Sequence, residues 1–281
     1  MIHPQAYVSP EAQLSPDVEI GPFSVVEPNV SIGRGCRLAS HVIVKEGTQI
    51  GCNNRVCEGA VLGGLPQHVQ TIEHPGQLII GDDNVIREFC TLHRSIHTET
   101  NTTIGDHNLL MVGCHVAHDC RLGNHVIVTN AVLLAGHVEV GDRAYLGGAA
   151  AVHQYCRIGQ HVMIGGHARI LKDVPPFVTI DGATGLVVGL NRVGLRRSGF
   201  EQNELQQLKN AYQLIYRRGL TWNEVLEALR LEFSTGPASQ FLEFFSGGTR
   251  GFVQERRSPP RATIKLHREA APAADYKTKA G

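Results

Sequence analysis

The sequence carries no net charge: 26 Lys and Arg balance 26 Asp and Glu. That excludes the broad electropositive surface of a general nucleic-acid binder and leaves room only for local basic patches. No apolar run approaches the roughly 20 residues a membrane-spanning helix needs. The opening stretch MIHPQAYVSP has neither a basic nor an apolar segment, so no secretory signal is expected. A disulfide framework is missing as well, because seven cysteines is an odd number and none form a C-x-x-C pair. These absences leave a soluble chain, expected in the cytoplasm, of one large domain or one domain with a smaller companion. What is abundant is glycine, at 31 residues.

The glycines accompany a six-residue period. Every sixth residue from Ile2 through Val8, Leu14, Ile20 and onward to Leu62 is aliphatic. The phase returns at Ile80, Ile86 and Leu92, then runs unbroken from Ile104 to Ile170. Four residues beyond each aliphatic the residue is usually small, as at Ala6, Ala12, Ser24, Cys36 and Ala60. No α-helix has this period, and a lone strand would alternate every second residue. The pattern predicts a β-helical solenoid: strand, corner, strand, with both special side chains facing a narrow core and Gly, Asp or Asn in the turns. Cys36, Cys90, Cys114, Cys120 and Cys156 fall at the small position, which makes them compact core residues. Two segments break the phase, 63–78 and 93–103, and loops leaving a stiff scaffold are where binding residues collect.

The hexads resemble those of the hexapeptide-repeat acyltransferases. That resemblance implies a left-handed parallel β-helix with three hexads per triangular coil, an exception to the usual right-handed crossover. After Ile170 the prolines of KDVPPFVTIDG forbid another regular coil. Helical spacing follows at Leu205, Leu208, Tyr212 and Ile215, with a capping box expected from Ser198 to Glu201 and a stop at Gly219. A second box, Thr221 with Glu224, opens another helix, and GPASQFLEFFSGG suggests a third. The expected organisation is mainly β: a left-handed parallel β-helix over 1–185, a small α-helical C-terminal domain over 186–255, and a disordered tail over 256–281.

Coil stacking places Gly136 above His118, Gln154 above Gly136, and Asp119 beneath His137. A histidine can take a proton from a hydroxyl at neutral pH, and a bare glycine amide over it could face an oxyanion. An adjacent Asp119 could hold the ring, although neighbours along a strand point opposite ways unless the pair sits at a corner. On spacing alone His118 reads more readily as an exposed turn residue, one of fifteen histidines.

Longer stretches resemble the UDP-N-acetylglucosamine acyltransferases, which open lipid A synthesis. They are IREFCTLHR (86–94), NLLMVGCHVAHDCRLGN (108–124), AVHQYCRIG (151–159), VMIGGHARILKDVPPFV (162–178) and NAYQLIYRRG (210–219). The resemblance implies that His118 is the general base, Asp119 orients it, and the Gly136 amide holds the oxyanion. It implies that His115 and His137 line the cleft and Gln154 lies along the sugar-nucleotide path. Gly166 would sit where the family limits acyl length, and as a glycine would leave room for a longer chain than a bulky residue; Asn191 and Arg197 would contact donor or nucleotide groups. The implied reaction moves an R-3-hydroxyacyl chain from acyl carrier protein to the 3-position of UDP-N-acetylglucosamine, with no cofactor and no metal, in a homotrimer. Arg196, Arg197, Lys209, Arg217 and Arg218 would suit an acidic carrier protein, or form an ordinary solvated face.

The chain departs from the family at the first loop, where His68 and Gln70 replace an acid and a lysine expected on the acceptor sugar. A 3-amino UDP-sugar giving an amide is therefore an alternative acceptor. Two other classes stay open: a zinc enzyme of the γ-carbonic-anhydrase type using His93, His115, His118 and His137, and a scaffold without catalysis.

Overall fold

The computed structural model describes residues 1–256 apart from Thr71. All but the first residue of the expected tail thus lies outside the described residues. Strands of mostly two residues form three sheets of nine, eight and ten strands, the faces of a left-handed parallel β-helix. The first sheet runs from Tyr7–Val8 to Arg169–Ile170 and the second from Gln13–Leu14 to Arg157–Ile158. The third runs from Glu19–Ile20 to Val178–Ile180 and ends on an antiparallel strand, Val187–Leu190.

The hexad aliphatics become one inward column per face. Leu62, Leu92, Val116, Leu134, Val152 and Ile170 sit in register on the first sheet, all nearly or fully buried. Leu62 pairs with Leu92 and not Ile80, and Leu92 with Val116 and not Leu110, so each phase break is a loop bulging from one coil. Across both breaks a buried asparagine ladder keeps the coils aligned. Asn84 N–H donates to Asn54 Oδ1 at 3.0 Å, Asn108 N–H to Asn84 Oδ1 at 2.8 Å, and Val126 N–H to Asn108 Oδ1 at 2.7 Å. Each bond satisfies an interior amide that the narrow core could not leave bare. The cysteines expected inside are buried and, like Cys52 and Cys57, free.

The corners differ from expectation in composition. Left-handed backbone is taken up by Asp119, His137 and Tyr155 on one edge and by His107, His125, Arg143 and His161 on another, not only by Gly, Asp or Asn. Such a conformation costs a non-glycine about 1–2 kcal/mol. Each residue offsets it by donating its amide to the coil below, as His137 N–H does to His118 O at 3.0 Å.

Four helices close the top: α1 (Arg192–Arg197), α2 (Gln202–Arg217), α3 (Trp222–Glu232) and α4 (Ser239–Phe245). The Thr221–Glu224 box stands where expected. The Ser198–Glu201 box does not form. Ser198 ends the unforeseen α1, and the box is shifted by one turn to Glu201 and Glu204 at the start of α2. Phe200 explains the shift, because it packs on His161 and Phe177 and fixes where the chain turns upward. The helices bury Leu208, Leu214, Leu229 and Phe241 around Phe177, the side chain that the proline stretch delivers to them. Arg157 clamps the two parts. It pairs with the fully buried Asp173 at 2.9 Å and donates to Phe244 O in the last turn of α4 and to Gly247 O just beyond it.

Candidate active site

His118 and Asp119 occupy the corner between the strands His115–Val116 and Arg121–Leu122. The objection that adjacent strand residues diverge is removed by the left-handed backbone of Asp119, at φ 60°. It turns both side chains to one side, and His118 Nδ1 meets Asp119 Oδ2 at 2.8 Å. A carboxylate only accepts, so Nδ1 carries the proton and Nε2 presents its lone pair. Both side chains are largely buried, 12% and 7% exposed, which strengthens their attraction over a surface pair.

Asp119 is held on all sides. Its Oδ1 accepts from the hydroxyls of Ser95 and Thr100, and its Oδ2 also accepts from Ile96 N–H at 3.2 Å. Its own N–H donates to Thr102 Oγ1 at 2.7 Å. Burial pushes the carboxyl upward, but Ser95, His118, the Ile96 amide and nearby His137 outweigh that and hold it below the ordinary aspartate value. None of the Ser95, Ile96, Thr100 and Thr102 contacts is visible in the sequence pattern, because the loop carrying most of them has no period. The break at 93–103 was the available signal, and its hydroxyl-rich composition was the clue to what it holds.

One coil up, a side chain at Gly136 would begin 2.5 Å from His118 Cε1, so the glycine lies directly against the ring as stacking predicted. Its N–H meets no acceptor among the described residues, since the neighbouring amides of Ala135 and His137 take the coil bonds. His137 stands edge-on to His118 with centroids 5.1 Å apart, its Nε2 3.9 Å from Asp119, and stacks on Tyr155. His68 reaches over from the first loop, 6.3 Å from the His118 ring, while Gln70 beside it is exposed and donates its N–H to His68 Nδ1. His93 anchors that loop by donating to Leu65 O at 2.6 Å and packs on His115. Gln154 is exposed one coil above Gly136.

Three expected residues lie elsewhere on the chain. Gly166 is on the edge between the first and third sheets, against Gly148. Asn191 caps α1, accepting from Gly194 N–H and donating to His161 O, on the edge between the second and third sheets. Arg197 is exposed at the end of α1. Among the basic residues, Arg217 is paired with Glu255 and Arg218 with Glu232, which leaves less free positive charge than the sequence suggested.

Burial holds His115 down to about 4, with the charge of His93 adding to the effect. His93, His137 and His161 are lowered by burial in the same sense. Their unfolded values lie near 6.5. Between that and about 4 the unfolded chain binds protons that the folded chain refuses, so stability falls as the solution is acidified. Thermal melts from pH 7 to pH 4.5 should show a steady decline in midpoint, about the window just derived. His115→Gln, which keeps a hydrogen-bonding partner for Thr91, should make the decline shallower. A slope identical to the parent's would refute the assignment to His115.

Residues 173–253 match the family described as UDP N-acetylglucosamine O-acyltransferase, domain 2, and residues 11–46 match the bacterial transferase hexapeptide repeat. An acyl-[acyl-carrier-protein]–UDP-N-acetylglucosamine O-acyltransferase of Halorhodospira halophila is 47% identical over 255 residues, covering 90% of this chain and 99% of its own. The chain belongs to the UDP-N-acetylglucosamine O-acyltransferase family. Solved members superpose closely. LpxA from Acinetobacter baumannii gives a TM-score of 0.87 at 41% identity, covering 90% of this chain and 99% of its own. The Arabidopsis UDP-N-acetylglucosamine acyltransferase gives 0.79 at 35%, covering 90% and 100%. Family membership leaves the zinc, scaffold and 3-amino readings without support. The ligand-capable atoms of His118, Asp119 and His137 do lie within 4.8 Å of one another. Asp119, however, is already saturated by hydrogen-bond donors, so a cation there would have to displace His118.

Proposed function

We propose that this chain transfers an R-3-hydroxyacyl group from acyl carrier protein to the 3-hydroxyl of UDP-N-acetylglucosamine, in the first step of lipid A synthesis. The observation that carries the reading is the His118–Asp119 pair beneath the bare Gly136 amide, in a chain 47% identical to an enzyme named for that reaction. His118 Nε2 takes the proton of the sugar hydroxyl as its oxygen forms a bond to the thioester carbonyl carbon. The carbonyl oxygen gains the negative charge and is met by Gly136 N–H. Collapse breaks the carbon–sulfur bond, and the departing thiolate of the carrier recovers the proton from the imidazolium. Asp119 stays ionised and supports the transient positive ring. No cofactor enters these steps. A cytoplasmic location fits a carrier-bound substrate and seven free thiols.

The assembly we propose is a homotrimer, and the faces of the prism support it. The outward side chains of the first sheet include Val25, Ile43, Val61 and Leu133, and those of the third Val85, Leu109, Ile127 and Tyr145. The second sheet is mainly polar outside, with Gln49, Thr103, Arg121, Glu139 and Arg157, and Ile79 among them. Leu133 is 50% exposed in the single chain, which is costly for a leucine beside other apolar groups. A threefold arrangement about the edge carrying Ala131 and Ala149 covers both apolar faces, first sheet of one protomer on third sheet of the next. The same arrangement sets the second–third edge of a neighbour, with Asn191 and Arg197, opposite the first–second edge carrying His118. That would give the two distant residues a place in the cleft.

The test is direct. Purified protein given R-3-hydroxyacyl carrier proteins and UDP-N-acetylglucosamine should release carrier thiol and 3-O-acyl sugar nucleotide one to one. No ester product, with amide formed from the 3-amino analogue, would overturn the acceptor assignment.

A further inference from the structure

We infer that Ser95 and Thr100 are positioning residues for acyl transfer, acting through Asp119 to fix the aim of His118. The inference rests on the reading of His118 as the base. Ser95 is wholly buried although it lies in a loop that bulges from the solenoid. A buried hydroxyl without a partner is destabilising, and this one is directed at a carboxylate: it donates to Asp119 Oδ1 and accepts His97 N–H at 3.1 Å. Thr100, from the far end of the same loop, shares its one hydroxyl proton between that oxygen, at 3.1 Å, and Ser95 Oγ, at 2.5 Å, so it braces Oδ1 both directly and through Ser95. Ile96 N–H approaches the other oxygen. The loop therefore closes on Asp119 like a clasp, with three donors on a side chain whose remaining partner is the catalytic ring.

The consequence is rotational. Held only by His118, the carboxylate could swing about its terminal torsion and let the ring follow. With Oδ1 fixed by two hydroxyls, Oδ2 can point only toward Nδ1, which leaves Nε2 aimed into the cleft against Gly136. The charged or titratable groups facing Asp119 are His118 on its own corner and His137 on the next coil; His97 of the loop acts on His137, and His93 feels His118. None of these can replace the hydroxyls on Oδ1.

A purely structural role for these hydroxyls would show in stability; a positioning role shows in turnover. Thr100→Val keeps shape and removes the donor, Thr100→Ser restores it, Ser95→Ala removes the second donor, and His118→Ala is the reference. Thr100→Val and Ser95→Ala should each lower kcat about tenfold. KM for both substrates should stay within about twofold, and Thr100→Ser should turn over near the parent rate. Parental kcat in folded Thr100→Val, or an equal loss in Thr100→Ser, would overturn the inference. So would a rise in KM at unchanged kcat. If His118→Ala is inert while Thr100→Val runs at full rate, positioning fails and the base stands. If His118→Ala retains parental turnover, both fall together.

Discussion

Gly136→Ala is expected to lower kcat/KM about 100-fold or more while the protein still folds, its melting point lower by only about 2–8 °C. An added Cβ would lie 2.5 Å from Cε1 and 2.7 Å from Nε2 of His118. These are atoms of an aromatic ring, with no flexible end to yield. The ring is bonded to Asp119 at 2.8 Å and flanked by His137, so relief requires breaking the pair or lifting the backbone of the coil. Either movement spoils the reaction: the first misaims Nε2, and the second displaces the amide that meets the oxyanion. Gly136 is not among the glycines with left-handed backbone, so alanine brings no conformational strain. The position faces out of the prism, and the core column of Val116, Leu134 and Val152 is untouched. Steady-state kinetics beside a thermal melt measures both sides. Undiminished kcat/KM would mean that the ring adopts another rotamer in the working enzyme.

That Gly136 could be placed over His118 rests on the hexad period together with the three-hexad coil that the family resemblance implies. Register is fixed by one aliphatic per hexad, so residue number serves as a coordinate, and Asp119 beneath His137 was placed by the same rule. The rule fails where the period does. Ser95 and Thr100 reach Asp119 through a loop whose path depends on its own hydrogen bonds, and no count of hexads leads there. It fails also at the corner itself, where the strand-like expectation for Asp119 gives way to left-handed backbone stabilised by the stacked coils. In the helical cap, Ser198 and Glu201 satisfy the chemical pattern of a box, yet the burial of Phe200 selects the next acid pair instead. Gly166, Asn191 and Arg197 were inferred from resemblance alone. None of them stands on the edge that carries His118, and the trimer proposed above would set Asn191 and Arg197, but not Gly166, opposite it.

Asp119→Asn and His118→Ala together test the dyad. His118→Ala removes the proton acceptor and should cost about 10²–10⁴ in kcat with little change in KM, since the ring binds the moving proton more than the sugar. Asp119→Asn should cost nearly as much although only one atom changes. With its oxygen taken by the Ser95 and Thr100 hydroxyls, the amide nitrogen would face Nδ1 and donate to it. That bond forces the imidazole proton onto Nε2, so the base presents a hydrogen where the substrate needs a lone pair. The buried site also loses the negative charge that supports the imidazolium. Folding should survive, because the amide preserves the shape and most of the bonds. Activity of Asp119→Asn within about threefold of the parent would show that the ring tautomer is set by something other than Asp119. A double variant no slower than the slower single one would show the two residues working as one unit.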